Sequence, residues 1–518
     1  MTKPNAKEIA LLLICLLVGF GLRFYSFDKR SLWGDEVYTY NDSRYGLNDQ
    51  LSYYQQEPNY LHPPLFFILT HLLYPFTKPE RDLRVIPLVS GILSIPMIFL
   101  LSRQFSPAIA PACTLSLVFM VYHIYLSQDG RPYSTLMFLG MLSLFLLMRY
   151  LATRNRKYLL LTAFFFAALL LMSYSSILFI VFSQIFWLYR TEGSKDSPLK
   201  GRVFSFLILN GTTFLLILPW LLFLLLNYIG QPLIIPYHKE DPGSFQLILY
   251  NLLRDWATHL PLVFLSVFLL LLSPFLTKEK RNALVLLSVL VFPVVGLYLF
   301  CKMKGVTHFI TSRYFICFLP VFFITLYLSL SAIDLKFQAM RKWIRPGIFF
   351  LLFFIASNII ILPLYYRSEK MNLRGLVAYL KEHLREGDEI FVVSASLMPG
   401  ILHYFGVVPT TRQDIFYPIM NAGEKVGDQI PFIYRNRPFT LTCSKTCCNQ
   451  FITDGSRVWI VVFKRLAKDF TETYPVVLKG YFDGSFLSLE RFPTDASMYL
   501  FLWDPQSPDE KGIDLPIE

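Results

Sequence analysis

Ile9-Ala-Leu-Leu-Leu-Ile-Cys-Leu-Leu-Val-Gly-Phe-Gly-Leu-Arg-Phe24 is followed within a few residues by Arg30-Ser-Leu-Trp-Gly-Asp-Glu-Val-Tyr38. The first run approaches the length of about 20 apolar residues that a spanning helix needs. Its basic start, Lys3-Pro-Asn-Ala-Lys7, would also suit a signal peptide. No small-residue cleavage site follows, so it is read as an uncleaved first helix. In the second run Asp35 and Glu36 stand side by side. Carboxylates at the edge of hydrocarbon are costly and mark a functional site by default. Trp33 and Tyr38 suit a membrane–water interface.

The rest of the chain sets these residues in a membrane protein. Of 518 residues 54% are hydrophobic and only 16% charged, more apolar surface than a soluble domain can hide. The apolar runs are continuous rather than alternating, which argues against a β-barrel. The formal charge of +12 is explained by basic cytoplasmic loops; there is no nucleic-acid motif, and no nucleic-acid partner is expected. Eleven spans are predicted, at 8–26, 84–102, 108–126, 132–151, 158–173, 175–190, 203–227, 259–276, 282–300, 314–333 and 345–364. The pair 158–173 and 175–190 is short and could form a hairpin. The stretch 64–76 is short and framed by prolines, as in an interfacial or re-entrant piece.

Charge fixes the sidedness. With the N-terminus inside and 64–76 not crossing, the basic loops 149–157, 190–202, 277–281 and 334–345 all fall inside, as the positive-inside rule demands. A crossing at 64–76 would put all four outside. The loop 27–83, the turn Ser127-Gln-Asp-Gly-Arg-Pro-Tyr133, the loop 301–313 and the tail then share the outer face. The expected domains are a transmembrane catalytic domain, 1–365, carrying the first outer loop 27–83, and an extracytoplasmic α/β domain, 366–518. In that tail 373–385 has helical periodicity, and 389–394, 458–463, 486–492 and 498–503 read as strands. A merely structural cap would read the same. Cys15, Cys113, Cys301 and Cys317 lie in or beside apolar runs as core residues. An outer Cys443–Cys447 disulfide, with Cys448 close by, is compatible with the compartment.

Four places could carry chemistry. A carboxylate at a low-dielectric boundary gains basicity, which suits Asp35 to general-base work; a solvated loop acid is the plainer alternative. His62-Pro-Pro-Leu65 reads as a fixed helix entry, with His62 free to meet a phosphate or an acid. Asp129 and Arg131 are pinned in a very short outer turn, where they could pair with each other or with a ligand. The outer loop holding Lys302, Lys304, His308 and Arg313 contains no acid and breaks the positive-inside pattern. Arg forks match phosphate oxygens and Lys adds point charge, so a phosphate-bearing ligand, or lipid headgroups in general, would explain it.

The first span, the acidic pair, His-Pro-Pro, the Ser-Gln-acid-x-Arg-Pro-Tyr turn and Arg313-Tyr314 opening a later span together resemble the GT-C glycosyltransferases. The nearest branch is the protein O-mannosyltransferase and aminoarabinose-transferase group in its bacterial form. Leu218-Pro-Trp220, and Asn372-Leu-Arg374 leading into Glu386-Gly-Asp-Glu-Ile390, fit as well. The resemblance spans about residues 8–365, and only loosely the tail. It implies an α-helical polytopic fold and a multi-pass inner (plasma) membrane location. It implies an inverting hexosyl or pentosyl transferase that passes a sugar from a polyprenyl-phosphate donor to a protein, lipid or glycan acceptor outside the cytoplasm. By resemblance Asp35 is the general base, Glu36 orients the acceptor or a neighbouring base, and Asp129 is the acid of the second outer loop. This chain has Asp129 where Glu is usual and Gly130 where Ala is common. Arg313 would hold the donor phosphate with Lys302, Lys304 and Arg131, and His62, Tyr133 and Tyr314 would line the pocket. The resemblance leaves two versions open: a metal-free one, and one in which Asp35 and Asp129 jointly hold Mg²⁺ or Mn²⁺ through carboxylate and water oxygens.

The competing function is a transporter or lipid-sugar flippase using Asp35 and Asp129 as coupling acids. Transporters commonly carry internal repeats and helices broken at the midplane. No repeat is visible here, and the charges gather at one face.

Overall fold

The computed structural model describes residues 4–49, 51, 62–189, 199–228, 245–277, 279–304, 311–340, 345–407, 428–443, 456–484, 496–507 and 511–517. The chain forms two compact units. The first comprises Met1–Phe27, Leu47–Leu73 and Arg84–Pro363; the second comprises Asp28–Gly46, Tyr74–Leu83 and Leu364–Glu518. Two pieces of the expected first outer loop, Asp28–Gly46 and Tyr74–Leu83, belong to the C-terminal unit.

In chain order the helices are α1 (Ala6–Phe24), α2 (Gly34–Ser43), α3 (Leu65–His71), α4 (Val85–Phe105), α5 (Ala110–Phe119), α6 (Val121–Ser127), α7 (Tyr133–Thr153), α8 (Arg156–Met172), α9 (Ser176–Ser183), α10 (Leu199–Tyr228), α11 (Phe245–Ala257), α12 (Leu260–Leu276), α13 (Lys280–Lys304), α14 (Leu319–Met340) and α15 (Pro346–Arg367). All but α2 lie wholly or mainly in the first unit. Among the described residues six helices are long and apolar enough to cross a membrane, and eight spans result if the bent pairs α5–α6 and α11–α12 each count as one. The other three expected spans are also helical. They fall short because α1 carries Lys7, Glu8 and Arg23 within 19 residues, α8 has 17 residues, and α9 gives way to a 3-10 turn, Gln184–Leu188. The seven residues of α3 reach about 10 Å, too little to cross, which agrees with an interfacial 64–76.

Local chemistry explains how these helices start and bend. Asn5 caps α1 by accepting the Glu8 N–H at 2.9 Å, while Glu8 accepts the Asn5 N–H at 2.9 Å. The other Glu8 carboxylate oxygen takes Arg103 of α4 at 2.6 Å. Between α5 and α6 the chain leaves helical geometry at Met120 and turns by 62°. A break of this kind strands backbone groups that cost free energy when buried. They are met from elsewhere. Buried Arg23 of α1 donates to the Leu117 carbonyl at 2.8 Å and the Val118 carbonyl at 3.2 Å, and Asn358 of α15 accepts the Val121 N–H at 2.9 Å.

The second unit is a three-layer α/β/α sandwich. It contains α16 (Leu373–His383), β1 (Glu389–Val392), α17 (Met398–Phe405), β2 (Asp428–Tyr434), β3 (Arg437–Cys443), β4 (Val458–Phe463), α18 (Lys464–Thr473), β5 (Val477–Phe482) and β6 (Met498–Trp503). The sheet order is β2-β3-β1-β4-β6-β5, with β1 parallel to both β3 and β4. Because side chains alternate across a strand, Trp459, Val461 and Phe463 of β4 face one core with α16 and α17. Val458, Ile460 and Val462 face the other, with Ala467 and Phe470 of α18. Burial on both faces is why β4 is a continuous apolar run. The expected strands at 389–394, 458–463 and 498–503 are present, whereas 486–492 lies outside the described residues, as do Cys447 and Cys448 of the suggested disulfide pairing. The hairpin β2–β3 and the strand β5 were not anticipated.

Candidate active site

The sequence-derived residues fall into two groups, one in each unit. In the first unit α6 and α7 are joined by the turn that holds Asp129. The Asp129 carbonyl accepts the Arg131 N–H at 2.7 Å, and the Asp129 side chain is buried, while Arg131 is half-buried. Gln128 ties this turn to the end of α1 by donating to the carbonyls of Arg23, at 2.7 Å, and Tyr25, at 2.8 Å. Two residues on, Tyr133 opens α7.

The 3-10 turn Ser312–Phe318 leads into α14 and packs against α7. It brings three expected residues together. The Arg313 guanidinium lies 5.4 Å from the Tyr133 ring centre and 5.6 Å from that of Tyr314, and the two rings meet edge to face at 6.4 Å. Arg313 is only 5% exposed. A guanidinium is weakly hydrated and stacks on aromatic faces, so this cradle keeps a full positive charge in a largely dry place.

The same turn is anchored by residues that sequence reading missed. Ser312 donates its hydroxyl to Asp255 at 2.5 Å and meets the Tyr122 hydroxyl at 2.8 Å. All three side chains are buried. Asp255 sits two residues before α11 and α12 meet at 103°, a break marked by Thr258 at φ 69°. The available signal was the charged pair Arg254-Asp255 just ahead of the apolar run of α12.

The other first-unit candidates lie elsewhere. Lys302 is exposed on the last turn of α13; Lys304 closes that helix, its side chain lying outside the described residues, as does His308. The expected loop from 301 is therefore corrected: α13 runs on to Lys304, because 280–304 is one apolar helix with its charges at the ends. His62 is half-buried at the entry to α3, its ring 5.9 Å from Phe67, as a packed helix-entry residue would be.

In the second unit Asp35 and Glu36 occupy the first turn of α2, where the helix dipole favours carboxylates. Adjacent residues on a helix do not share a face, and the two acids differ accordingly. Glu36 is buried and accepts the Trp33 N–H at 3.4 Å, while Asp35 is partly exposed. Trp33 is inserted into the sheet's core beside Met371, Leu373 and Met398, and buried Lys370 places its Nζ 3.4 Å above the indole.

At the other end of α2 the Tyr40 ring meets His403 of α17 edge to face at 4.6 Å. Burial lowers the His403 pKa to about 4; Arg44 and Arg374 push the same way and Glu80 opposes them. The unfolded imidazole titrates near 6.5. As pH falls below about 6.5 the unfolded chain takes up the proton first, so stability is lost down to about pH 4, by roughly 3 kcal/mol in all. Thermal unfolding of the full chain in detergent at pH 7 and pH 4.5 is expected to show that loss, and His403→Gln is expected to reduce the difference. An undiminished pH dependence in the variant would remove His403 as its source.

Among the described residues no three His, Cys, Asp or Glu side chains are grouped so as to hold a metal.

The architecture is a polytopic helical membrane portion with a small α/β unit. It is similar in fold to solved structures of ArnT. ArnT from Cupriavidus metallidurans in the apo state matches with a TM-score of 0.55 at 12% identity, covering 96% of this chain and 98% of that one. ArnT from the same organism bound to undecaprenyl phosphate matches with a TM-score of 0.50 at 13% identity, covering 95% and 97%. At such identities the likeness is one of fold. No protein-family model matches the chain, and no curated protein matches its sequence.

Proposed function

We propose that the chain is an inverting glycosyltransferase that takes a sugar from a polyprenyl-phosphate donor and passes it to an acceptor at the extracytoplasmic face. The observation that carries this reading is the buried Arg313 cradled by Tyr133 and Tyr314. A fixed guanidinium in a dry pocket serves a phosphate whose charge grows during reaction, since preorganised cations act most strongly where water is excluded. The fold shared with ArnT, one structure of which holds undecaprenyl phosphate, supports a lipid-phosphate donor.

In the proposed reaction an acceptor hydroxyl attacks the anomeric carbon from the face opposite the phosphate. Asp35 takes the hydroxyl proton. The bond from the anomeric carbon to the phosphate oxygen breaks, and polyprenyl phosphate leaves with the electron pair, its charge held by Arg313. Glu36 secures the start of α2, and Asp129 acts from the second outer turn on donor or acceptor. Whether the sugar is a hexose or a pentose is decided by the donor pocket.

The test is titration of the protein in nanodiscs with undecaprenyl-phosphate-linked mannose and aminoarabinose and with the matching nucleotide sugars. Binding of a lipid-linked donor alone, with release of undecaprenyl phosphate on transfer, is the expected result. Binding of none, or of nucleotide sugars alone, overturns the reading. The bent helix pair beside Asp255 is a feature a transporter would share, and failure of all four ligands would favour that alternative.

A further inference from the structure

The irregular segment that precedes Asp35 is gripped residue by residue from the C-terminal part of the second unit. Arg374 donates to the Lys29 carbonyl at 3.1 Å and the Arg30 carbonyl at 3.2 Å. The Arg30 guanidinium lies 4.2 Å above the Tyr365 ring and donates to its hydroxyl. Ser31 donates its N–H to Glu369 at 3.2 Å, and Leu32 donates its N–H to the Tyr404 hydroxyl at 2.7 Å. Trp33 is held in the core under Lys370.

These grips are cross-linked. Glu80, from the short helical turn Pro79–Asp82, accepts from Arg374 at 2.8 Å and from the Tyr404 hydroxyl at 3.2 Å. Tyr404 thus accepts from Leu32 and donates to Glu80, using both halves of its hydroxyl. Its pKa is raised to about 12, by burial first and by Glu80 second, so the group remains a donor.

A merely structural cap would need only an apolar contact with the loop, which Trp33 and Leu32 already supply. The polar grips add something different: they fix the backbone of four consecutive residues, 29–32, that lie outside any helix or strand, just ahead of the turn that presents Asp35. A displacement of about 1 Å in a reacting group can cost roughly 100-fold in rate, and functional side chains need a supporting layer to avoid it. We propose that Tyr404 and Arg374 are positioning residues for Asp35, so that the C-terminal α/β unit serves as the holder of the acid-bearing segment. This rests on the reading of Asp35 as the base.

The test uses the full chain in nanodiscs. Tyr404→Phe keeps the ring and removes the hydroxyl; Arg374→Lys keeps the charge and removes the fork. Each is expected to lower kcat by roughly 10-fold while undecaprenyl phosphate binds within about twofold of wild type, since the proposal assigns the phosphate to Arg313 and not to the grip. Hydrogen exchange at the amides of residues 31–37 is expected to quicken in both. Groups that act as a unit are non-additive, so Tyr404→Phe combined with Asp35→Asn should lose no more activity than Asp35→Asn alone. Unchanged exchange at 31–37, unchanged kcat, or a loss that follows undecaprenyl phosphate affinity instead of kcat would overturn the proposal. Full activity of Asp35→Asn would instead overturn the underlying reading, whereas an inactive Asp35→Asn beside a normal Tyr404→Phe would sink the positioning role alone.

Discussion

Arg313→Ala is expected to weaken undecaprenyl phosphate binding by roughly 100-fold, about 2.7 kcal/mol, within the range measured when one partner of a buried charge pair is removed. The size follows from the surroundings. An exposed Arg meeting a phosphate in water would contribute a fraction of this, because solvent competes and salt screens. Arg313 is buried, flanked by the Tyr133 and Tyr314 rings, and its neighbour Ser312 is locked to Asp255 and Tyr122. Little ordering is left to be done when the ligand arrives. Arg313→Lys should recover only part of the affinity, since an ammonium keeps the charge but loses the planar fork and the stacking. Titration in nanodiscs at two salt concentrations measures both. Wild-type affinity in the Ala variant, or a steep salt dependence in the wild type, would mean that the phosphate is held elsewhere.

What could be read in advance follows from which forces write themselves into local sequence. Burial does: β4 and β6 are covered on both faces and appear as plain apolar runs, so their limits were legible to the residue. The hairpin β2–β3 was not, because it carries Pro431 and Pro438, residues that argue against a strand, and because its two-residue turn uses Arg435 and Asn436 at φ 51° and 60° instead of the usual Asn-Gly. The sheet tolerates both prolines: β2 lies at the edge, and Pro438 sits at the end of β3 that β1 does not reach.

The candidate site divides in the same way. The motifs that carry Tyr133, Arg313 and Tyr314 were legible at span ends, but the meeting of the three side chains was not. Asp255 was hidden, since its partner Ser312 is 57 residues away and a lone acid before an apolar run reads as a solvated boundary. The grip on residues 29–33 was hidden more deeply. It pairs an irregular segment with residues more than 330 positions later, and no periodicity records such contacts.

Asp35→Asn is expected to reduce sugar transfer by about 1000-fold, inside the range of roughly 10²–10⁴ that a positioned general base supplies, with undecaprenyl phosphate affinity unchanged. The amide is nearly isosteric and can occupy the same place in the first turn of α2, and the carboxylate beside it, Glu36, is the one that accepts the Trp33 N–H. What Asn lacks is the ability to take a proton. A fall in kcat with the donor KM intact therefore separates a chemical role from a binding role. Asp35→Glu tests the same point through geometry, because one extra methylene displaces the carboxylate while keeping its basicity, and it should recover only a small part of the rate. Glu36→Gln gives the contrast. Gln keeps an oxygen that accepts the Trp33 N–H and loses only the charge at the helix N-terminus, so hydrogen exchange across residues 34–37 should quicken slightly, together with a modest fall in rate. If Asp35→Asn transfers sugar at the wild-type rate while Glu36→Gln is inactive, the base is Glu36, and the roles of the two neighbouring acids must be exchanged.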